Sequence, residues 1–190
     1  MTEENLFIIL VLISSLLLLV FKRVKRKITG KYGEAKVSWK LNRLNSKRYR
    51  VINDLLIGNR SGSSQIDHVV ISRYGVFVIE TKNYKGWIFG HEASNEWTQT
   101  LYKRKYKFRN PILQNWGHIR TLKRVLSEFP YVPYFPIVVF SGKAKLKKIT
   151  SKVPVIYSSR LIRYIKKNSH SEYLSSEEVD EIYHKLIRLN

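Results

Sequence analysis

The chain has 190 residues, of which 44% are hydrophobic and 13% aromatic, so it can form one ordinary domain plus a short extra segment. It has no cysteine, which excludes disulfides, thiolate metal sites and cysteine nucleophiles. Its 35 basic and 14 acidic residues give a formal charge of +21, which favours a polyanionic partner, either nucleic acid or anionic lipid, over a merely solvated basic surface.

An uncharged run from Leu6 to Phe21 separates the acidic start of the chain from a basic cluster. Sixteen helical residues span about 24 Å, less than a hydrocarbon core of about 30 Å, but Lys22 and Arg23 can snorkel to the interface. No small-residue cleavage site follows, so the run predicts an uncleaved transmembrane anchor. The positive-inside rule then predicts a short outer N-terminus, residues 1–5, and a cytoplasmic domain at the cell membrane.

The rest of the chain alternates between helical and strand patterns. Residues 22–29 are predicted to be a basic linker, and Gly30 to Leu44 a helix whose apolar face unexpectedly includes the acid Glu34. Asn59 to Ser64 is expected to be a polar loop. Strands are predicted at Tyr49–Leu56, Gln65–Ser72, Val76–Asn83, Trp87–Gly90, Leu101–Arg109, Pro136–Phe140 and Val153–Tyr157. Helices are predicted from the Asn110-Pro111 start to near Phe129, over Ser159–Lys166, and after the capping box Ser175-x-x-Glu178.

This order of elements predicts an α/β domain with a mixed sheet flanked by helices. The domain is expected over residues 30–145, with residues 146–190 as a C-terminal strand and helix extension packing on the core. Basic residues on the predicted strand Leu101–Arg109 and beside it are the candidates for phosphate-backbone contacts: Lys103, Arg104, Lys105, Lys107 and Arg109. A second lysine group, from Lys143 to Lys148, is expected in a loop.

Two acids and a lysine converge if the predicted hairpin has the two-residue loop Arg73-Tyr74. In that register Asp67 lies directly opposite Glu80, and Lys82 shares the face of Glu80. A three-residue loop would instead pair His68 with Glu80 and turn Asp67 away. The apolar pattern of the two strands leaves both registers open.

Two carboxylates at about 5 Å repel each other, and a divalent hard cation relieves that repulsion. Such a cation meets phosphate oxygens and lowers the pKa of bound water, while a nearby lysine can position the water or balance charge. These parts suit hydrolysis of phosphodiester bonds. A solvated cross-strand cluster of Asp67, Glu80 and Lys82 is the plainer alternative, because the short motif is common.

Five runs resemble, in order and over roughly residues 30–126, the nuclease-related domain (NERD) branch of the PD-(D/E)xK phosphodiesterases: GEAKV, NDLLI, SQIDHVVISRYGVFVIETKNYKGWIFG, EW and NPILQN. The resemblance implies a restriction-endonuclease-like core. It implies that Mg²⁺ or Mn²⁺ is bound by Asp67, Glu80 and the carbonyl of Thr81, and that Lys82 handles the attacking water. It adds Glu34 and Gln114 to the catalytic set. Ile66 stands where the broader superfamily has proline.

The expected function is therefore a membrane-anchored, metal-dependent nuclease acting on DNA rather than RNA. The resemblance also makes a homodimer an option, and the lack of a G-x-x-x-x-G-K-[ST] run speaks against a nucleotide cofactor. Two alternatives stay open: an inactive nucleic-acid-binding module tethered to the membrane, and a scaffold whose basic surface binds lipids alone. His68 is expected to be a hydrogen-bonded residue rather than a ligand. Three tryptophans are expected in the core rather than stacked on bases: Trp87, Trp97 and Trp116.

Overall fold

The computed structural model describes residues 3–59 and 62–190. In chain order the elements are α1 (Glu3–Leu41), β1 (Tyr49–Asn59), β2 (Gly62–Ser72), β3 (Gly75–Lys82), β4 (Gly86–His91), β5 (Glu96–Leu101), β6 (Arg104–Arg109), α2 (Pro111–Val125), β7 (Tyr134–Phe140), β8 (Ala144–Thr150), β9 (Val155–Tyr157), a 3₁₀ turn (Ser158–Arg160), α3 (Leu161–Lys167) and α4 (Ser176–Leu189). The chain divides into two compact units, one ending at Tyr32 and one running from Gly33 to Asn190.

The first unit is, in its described part, the N-terminal portion of α1, which remains helical through residues 22–29. Of the predicted outer N-terminus, Met1 and Thr2 lie outside the described residues. Among the residues that are described, no helix combines the length and apolar character needed to cross a membrane. The anchor predicted at Leu6–Phe21, and with it the single-pass location, is therefore unsupported; sixteen residues reach only about 24 Å.

A mixed five-stranded sheet forms the centre of the second unit, in the order β1-β2-β3-β7-β9. The pairs β1–β2 and β2–β3 are antiparallel, and the pairs β3–β7 and β7–β9 are parallel. The predicted central strand Pro136–Phe140 is confirmed as part of β7, whose last four residues are buried. The predicted loop at Asn59–Ser64 is shorter than expected: β1 extends to Asn59, β2 starts at Gly62, and the two residues between them lie outside the described part of the chain.

Helices cover both faces of this sheet, which explains why its central strands are almost continuously apolar. On one face, Val69 and Val78 pack in a core with residues of α2 and α4, including Leu122 and Ile182. On the other face, the core contains residues of β3 and β7 together with side chains from the end of α1 and from α3: Phe77, Ile79, Ile137, Val37, Leu41, Leu161 and Ile165. Burying each such aliphatic side chain contributes about 1.5–3 kcal/mol. The sheet is thus a rigid base for the charged groups at the end of β3.

A second mixed sheet has the order β6-β5-β4-β8, and its strands alternate in the chain with those of the first: β4 to β6 come between β3 and β7, and β8 comes between β7 and β9. Here two predictions were wrong. The strand expected over Leu101–Arg109 is broken by a turn at Tyr102, whose φ of 55° lies in the left-handed region. Of the lysine group expected in a loop, Lys143 does precede the strand, but Lys145, Lys147 and Lys148 belong to β8, which pairs in parallel with β4. Both segments gain ladder hydrogen bonds from a sheet that the local sequence pattern does not reveal.

Two predicted helix starts are confirmed, but the start expected at Gly30 was wrong, because α1 runs through this residue from Glu3 to Leu41. The side chain of Asn110 accepts a hydrogen bond from the backbone N–H of Ile112, with Pro111 at the first helical position of α2. Ser175 and Glu178 form the reciprocal capping box of α4. Of the three tryptophans expected in the core, Trp97 is 1% exposed, but Trp87 and Trp116 are 48% and 36% exposed, so that expectation was wrong for two of them.

Candidate active site

The β2–β3 hairpin has the register of the two-residue turn. Ser72 pairs with Gly75 and His68 pairs with Ile79, so the next position in the same register brings Asp67 opposite Glu80. Gly75 closes the turn with a φ of 122°, a conformation that glycine adopts without a steric penalty. The three-residue loop is thereby excluded. The two carboxylates meet at the end of β3, where strands β2, β3 and β7 run side by side.

Glu80 is the centre of a buried hydrogen-bond network and is 1% exposed. The ammonium of Lys82 donates to Glu80 Oε1 at 2.5 Å and to Gln114 Oε1 at 3.1 Å. Burial alone would lower the pKa of the Lys82 ammonium, but the Glu80 carboxylate holds it above its ordinary value. Lys82 is therefore a charged donor, fixed in position by an acid from its own strand and an amide from α2.

His118 completes this network from the next turn of α2. Because a carboxylate only accepts, Nε2–H of His118 donates to Glu80 Oε2 at 3.2 Å. The other ring nitrogen, Nδ1, is hydrogen-bonded to the hydroxyl of Ser64 at 3.0 Å. Burial alone would raise the pKa of the Glu80 carboxyl, but the hydrogen bonds from His118 and Lys82 hold it below its ordinary value. Glu80 is thus ionised although it is buried.

The pKa of the Asp67 carboxyl is displaced in the opposite direction from that of Glu80. Its Oδ2 accepts a hydrogen bond from the backbone N–H of Thr81 at 2.7 Å, which ties β2 to the end of β3. The pKa of the Asp67 carboxyl is nevertheless raised to about 8, first by burial and then by the negative charges of Glu80 and Glu34. Two neighbouring carboxyl groups therefore have pKa values displaced in opposite directions, a pattern typical of functional sites.

Gly33 explains how α1 comes close enough to bring Glu34 near Asp67. A Cβ at position 33 would lie 2.4 Å from Cβ of Asn83 and 2.6 Å from Oγ of Ser141, distances that real Cβ atoms do not show. The helix therefore needs glycine at this position to approach the segments that follow β3 and β7. The next residue, Glu34, is half-buried and close enough to raise the pKa of Asp67.

The oxygen atoms available as ligands at the end of β3 fit a hard divalent cation. Asp67 and Glu80 provide carboxylate oxygens, and Thr81, between Glu80 and Lys82, provides a backbone carbonyl. Mg²⁺ binds such oxygens, needs only one or two carboxylates and keeps several waters. Across residues 3–59 and 62–190, no group of three or more His, Cys, Asp or Glu side chains is arranged to hold a metal ion by itself.

Comparison with known proteins agrees with this arrangement. The profile of the nuclease-related domain family, NERD, matches residues 29–141, which include every acid described above, Lys82 and all of α2. The chain belongs to the NERD family. It is also 36% identical over 193 aligned residues to an uncharacterized protein of Bacillus anthracis, covering 98% of this chain and 90% of that protein. No solved structure shows a significant match.

The NERD site thus unites residues from four elements. Asp67 comes from β2, Glu80 and Lys82 from β3, Gln114 from α2, and Glu34 from α1. The structure brings the first four together by hydrogen bonds and strand register and couples Glu34 to Asp67 electrostatically. The roles assigned to these residues, and to the carbonyl of Thr81, stay predictions.

The basic residues predicted to touch phosphates do not form one surface. Lys105 and Lys107 pair across the second sheet with Thr100 and Thr98 and lie on its outer face. Arg104 alternates to the other face, and Lys103 belongs to the turn before β6. Arg109 has the same parity as Lys107 and pairs with Glu96. Of the five predicted residues, Lys105, Lys107 and Arg109 therefore share one face of β6.

His118 and Asn115 are site residues that sequence reasoning missed. No zinc-like spacing links His118 to another histidine, but it lies four residues after Gln114 and hence on the same helix face. Asn115 donates to the carbonyls of Val78 and Ile137 at 2.9 and 3.1 Å, next to a point where β7 carries Pro136 and lacks an N–H. It therefore ties α2 to both strands that lead to the site.

His68 behaves as predicted, as a hydrogen-bonded residue on the other side of β2. Its Nδ1 lies 2.7 Å from Oδ1 of Asn53. Burial lowers the pKa of the His68 imidazole to about 4, so the ring is neutral. The neighbouring Asp54, with a φ of 57°, faces Asp67 in the β1–β2 register but makes no ladder pair there. Backbone of this kind is uncommon for a residue with a side chain and clusters at functional sites.

Proposed function

We propose that this NERD domain is a metal-dependent nuclease that hydrolyses phosphodiester bonds. The observation that carries the proposal is the pair of carboxyl groups Asp67 and Glu80, facing each other at the end of β3 with the Lys82 ammonium bonded to one of them. Family membership and the mixed sheet flanked by helices support a restriction-endonuclease-like core. Asp67, Glu80 and the Thr81 carbonyl would hold Mg²⁺ or Mn²⁺.

The bound cation would supply charge neutralisation at the scissile phosphate and a more acidic water. The residues of the chain have separate tasks. Lys82 donates to the attacking water or to a phosphate oxygen, since its raised pKa keeps it an ammonium. Gln114 holds Nζ of Lys82 in place at 3.1 Å. His118 holds the second oxygen of Glu80, so that this carboxylate has one fixed orientation.

The proposed substrate is nucleic acid, with DNA favoured over RNA. The formal charge of +21 supports a polyanion. Lys105 and Lys107, on the outer face of the second sheet, are the best-supported candidates for backbone phosphates, with Arg109 next along β6. Such contacts give affinity without reading sequence, so binding should weaken steeply as salt is raised.

The test compares the full chain with Lys82→Ala and with Lys166→Ala. Lys166 is an exposed lysine on α3 and serves as the matched control for loss of one charge. Each protein is incubated with labelled single- and double-stranded DNA and RNA, in Mg²⁺, in Mn²⁺ and in EDTA. We expect cleavage that requires metal, falls by about 100- to 1,000-fold in Lys82→Ala and is unchanged in Lys166→Ala.

Equal cleavage by Lys82→Ala and the control would contradict the assignment of Lys82. Cleavage that persists in EDTA would contradict the metal requirement. The four substrates also show whether DNA is preferred, since each is presented at the same length and concentration.

A second candidate, an inactive nucleic-acid-binding module, is favoured by one observation. Both oxygens of Glu80 already accept hydrogen bonds, from Lys82 and from His118. A bound metal ion would have to share the Glu80 carboxylate with these two hydrogen-bond donors. If the network has only a structural role, no such sharing is needed. Salt-sensitive binding of all four nucleic acids without cleavage under any metal condition would favour this candidate.

A further inference from the structure

The outer face of the second sheet carries an ordered set of side chains, of which the proposed function uses only Lys105 and Lys107. We call this face the outer platform and define it by Trp87 and Phe89 of β4, Thr98 and Thr100 of β5, and Lys105 and Lys107 of β6. The strand register aligns them in two rows. One row runs Lys105, Thr100, Trp87; the other runs Lys107, Thr98, Phe89.

Strand β8 adds lysines on the far side of the aromatic pair. Lys145 pairs with Trp87 and Lys148 pairs with Phe89, with an irregularity of the ladder between them. The ammonium of Lys147 lies 4.8 Å from the centre of the Trp87 ring. Each row therefore has an aromatic ring near its middle, a threonine beside it and cationic side chains at both ends.

The opposite face of the same sheet is ordinary core. Ile88 and Trp97 alternate with the platform residues along β4 and β5 and are at most 1% exposed. They pack in a cluster that includes Ile112, Val138 and Phe140. The second sheet therefore has a packed core face, and the exposure of Trp87 does not result from the absence of one. Its outward position leaves a large aromatic ring 48% exposed above a groove of about 420 Å³ that the six platform residues line.

A groove with aromatic rings in the middle and ammonium groups at both edges matches the chemistry of an unpaired nucleic-acid strand. Bases stack on exposed aromatic rings, and the phosphates on either side of them meet the lysines. Trp87 and Phe89 are two residues apart on one strand face, about 6.6 Å at the usual rise, which separates the rings enough for two bases. The threonine hydroxyls between the rows can hydrogen-bond base edges or phosphates.

We propose that the outer platform is a binding site for a single-stranded segment of nucleic acid, with one base stacked on Trp87. The proposal rests on nucleic acid being the substrate of the proposed nuclease and deepens it by selecting unpaired over duplex substrate. In a duplex the faces of internal bases are covered by their neighbours, so only a single strand, a flap or an unpaired end can present a face to Trp87. Lys82 is five positions before Trp87 in the chain, so the strand segment that follows the site leads directly into the platform.

The test measures binding and needs no cleavage. The full chain is titrated in EDTA into fluorescein-labelled oligothymidylate of about 20 nucleotides, oligouridylate of the same length, and a matched DNA duplex. The variants are Trp87→Ala, Trp87→Phe and Trp39→Ala. Trp39 is the matched control, an exposed tryptophan on α1 that also lies under a cation, with Arg43 at 3.7 Å from its ring.

We expect Trp87→Ala to raise the Kd for the single strands by about 5- to 150-fold and to change duplex binding by less than about twofold. Trp87→Phe should restore most of the single-strand affinity, because phenylalanine keeps a stacking face, and this variant also controls for misfolding. Trp39→Ala should behave like the unaltered chain. Quenching of tryptophan fluorescence by oligothymidylate should disappear only in the Trp87 variants.

Equal effects of Trp87→Ala and Trp39→Ala would overturn the proposal, as would an equal loss of single-strand and duplex affinity. Trp87-dependent binding to vesicles of anionic phospholipid, with no binding of oligonucleotides, would overturn it in favour of a lipid surface. Trp87-dependent oligonucleotide binding without cleavage in Mg²⁺ would uphold the platform and remove the nuclease. Cleavage in Mg²⁺ that does not depend on Trp87 would uphold the nuclease and remove the platform.

Discussion

The two sheets of this NERD domain handle charge in opposite ways. At the end of β3 in the first sheet, a few charged groups are buried and hydrogen-bonded to one another, with Glu80 only 1% exposed. On the outer face of the second sheet, lysines stand in solvent beside aromatic rings and make few contacts with each other. The buried arrangement in the first sheet costs desolvation free energy and is rigid. The exposed arrangement on the second sheet costs little desolvation free energy, and its side chains can adjust their positions.

This difference follows from what each region is proposed to do. Chemistry at a phosphodiester requires charges that keep their positions and pKa values while charge develops, and burial with paired hydrogen bonds provides that. Binding a polyanion requires only cations within reach, and exposed lysines do this without desolvation. Substitutions in the first sheet should therefore change catalysis and stability together, while those in the second should change affinity alone.

The largest effect is expected for Asp67→Asn. Loss of the carboxylate removes a proposed metal ligand and should lower metal-dependent cleavage by more than about 100-fold, because even groups that only orient metal ligands cost 10- to 100-fold. Initial rates in Mg²⁺ measure this. The matched control is Asp180→Asn, at a half-buried acid on α4 that is bonded to Arg50, and this variant should keep full activity. Full activity of Asp67→Asn would remove Asp67 from the catalytic set.

The same substitution should change stability in the opposite direction when no metal is present. The folded chain holds the pKa of Asp67 at about 8, above the ordinary value of a free aspartate. The stability linked to its protonation is therefore complete below about pH 4 and is lost as pH rises to about 8. In EDTA near pH 8, Asp67→Asn should be more stable than the unaltered chain, by roughly 2–4 kcal/mol.

Urea unfolding in EDTA at a series of pH values tests this prediction. The gap between the two proteins should widen from pH 5 to pH 8 and should shrink when Mg²⁺ is added, since only the unaltered chain keeps both carboxylates. A gap that stays constant with pH would mean that Asp67 is ionised in the folded, metal-free protein.

His118→Ala should have the next largest effect. The change leaves Oε2 of the buried Glu80 without its donor, so cleavage should fall about 10- to 100-fold and stability by about 1–3 kcal/mol. Cleavage rates and thermal unfolding measure both. His170→Ala, at an exposed histidine after α3, is the control. Unchanged kinetics with lowered stability would show that His118 supports the fold and not the site.

Gly33→Ala tests the close approach of α1. The added methyl group would collide with Asn83 and Ser141, and the overlap should cost about 1–2 kcal/mol after the gain in helix propensity. Gly117→Ala on α2 is a well-matched control, because its methyl group would meet only the Arg120 side chain at 3.7 Å. It should raise stability by up to about 1 kcal/mol. Thermal unfolding of both variants measures the difference, and a stabilised Gly33→Ala would mean that the helix can withdraw from the site.

The smallest effect is expected for Lys107→Ala on the second sheet. Loss of one phosphate contact should weaken DNA binding only a few-fold, and the slope of log affinity against log salt should fall by about 1. Titrations at several salt concentrations measure the slope, with Lys166→Ala as control. Cleavage at saturating DNA and thermal stability should not change. If Lys107→Ala lost as much stability as His118→Ala, the exposed lysines of the second sheet would contribute to stability as the buried groups of the first sheet do, and the comparison of the two sheets would be wrong.

Local sequence signals were sufficient for much of the fold. The turn at Arg73-Tyr74, the helix start at Asn110-Pro111 and the capping box at Ser175 each depend on neighbouring residues, and the structure confirms all three. The register of the hairpin was left open between two turn lengths, and the structure decides for the two-residue turn that puts Asp67 opposite Glu80. The apolar run at Pro136–Phe140 also identified a central strand correctly.

Long-range contacts explain what the sequence did not reveal. Strand β8 is held by β4, more than fifty residues earlier, and nothing in its lysine-rich sequence marks it as a strand. Trp116 was expected in the core but is 36% exposed, whereas the neighbouring Asn115 and His118 are buried, and Asn115 donates to the sheet. Polar residues can occupy buried positions when partners elsewhere in the fold satisfy their hydrogen bonds.

By itself, the sequence determined the identity of the acids and the lysine at the hairpin, the face that Glu80 shares with Lys82, and the strongly basic charge, because these depend on residue type and on the period of two along a strand. The position of Asp67 opposite Glu80 needed the register that the structure shows. Only the tertiary structure decided that His118 and Gln114 hold Glu80 and Lys82, that the pKa values of Asp67 and Glu80 move apart, and that Trp87 faces outward. The reason is physical. Burial and hydrogen-bond partners are set by elements that meet across the chain, and electrostatic energies depend on those surroundings.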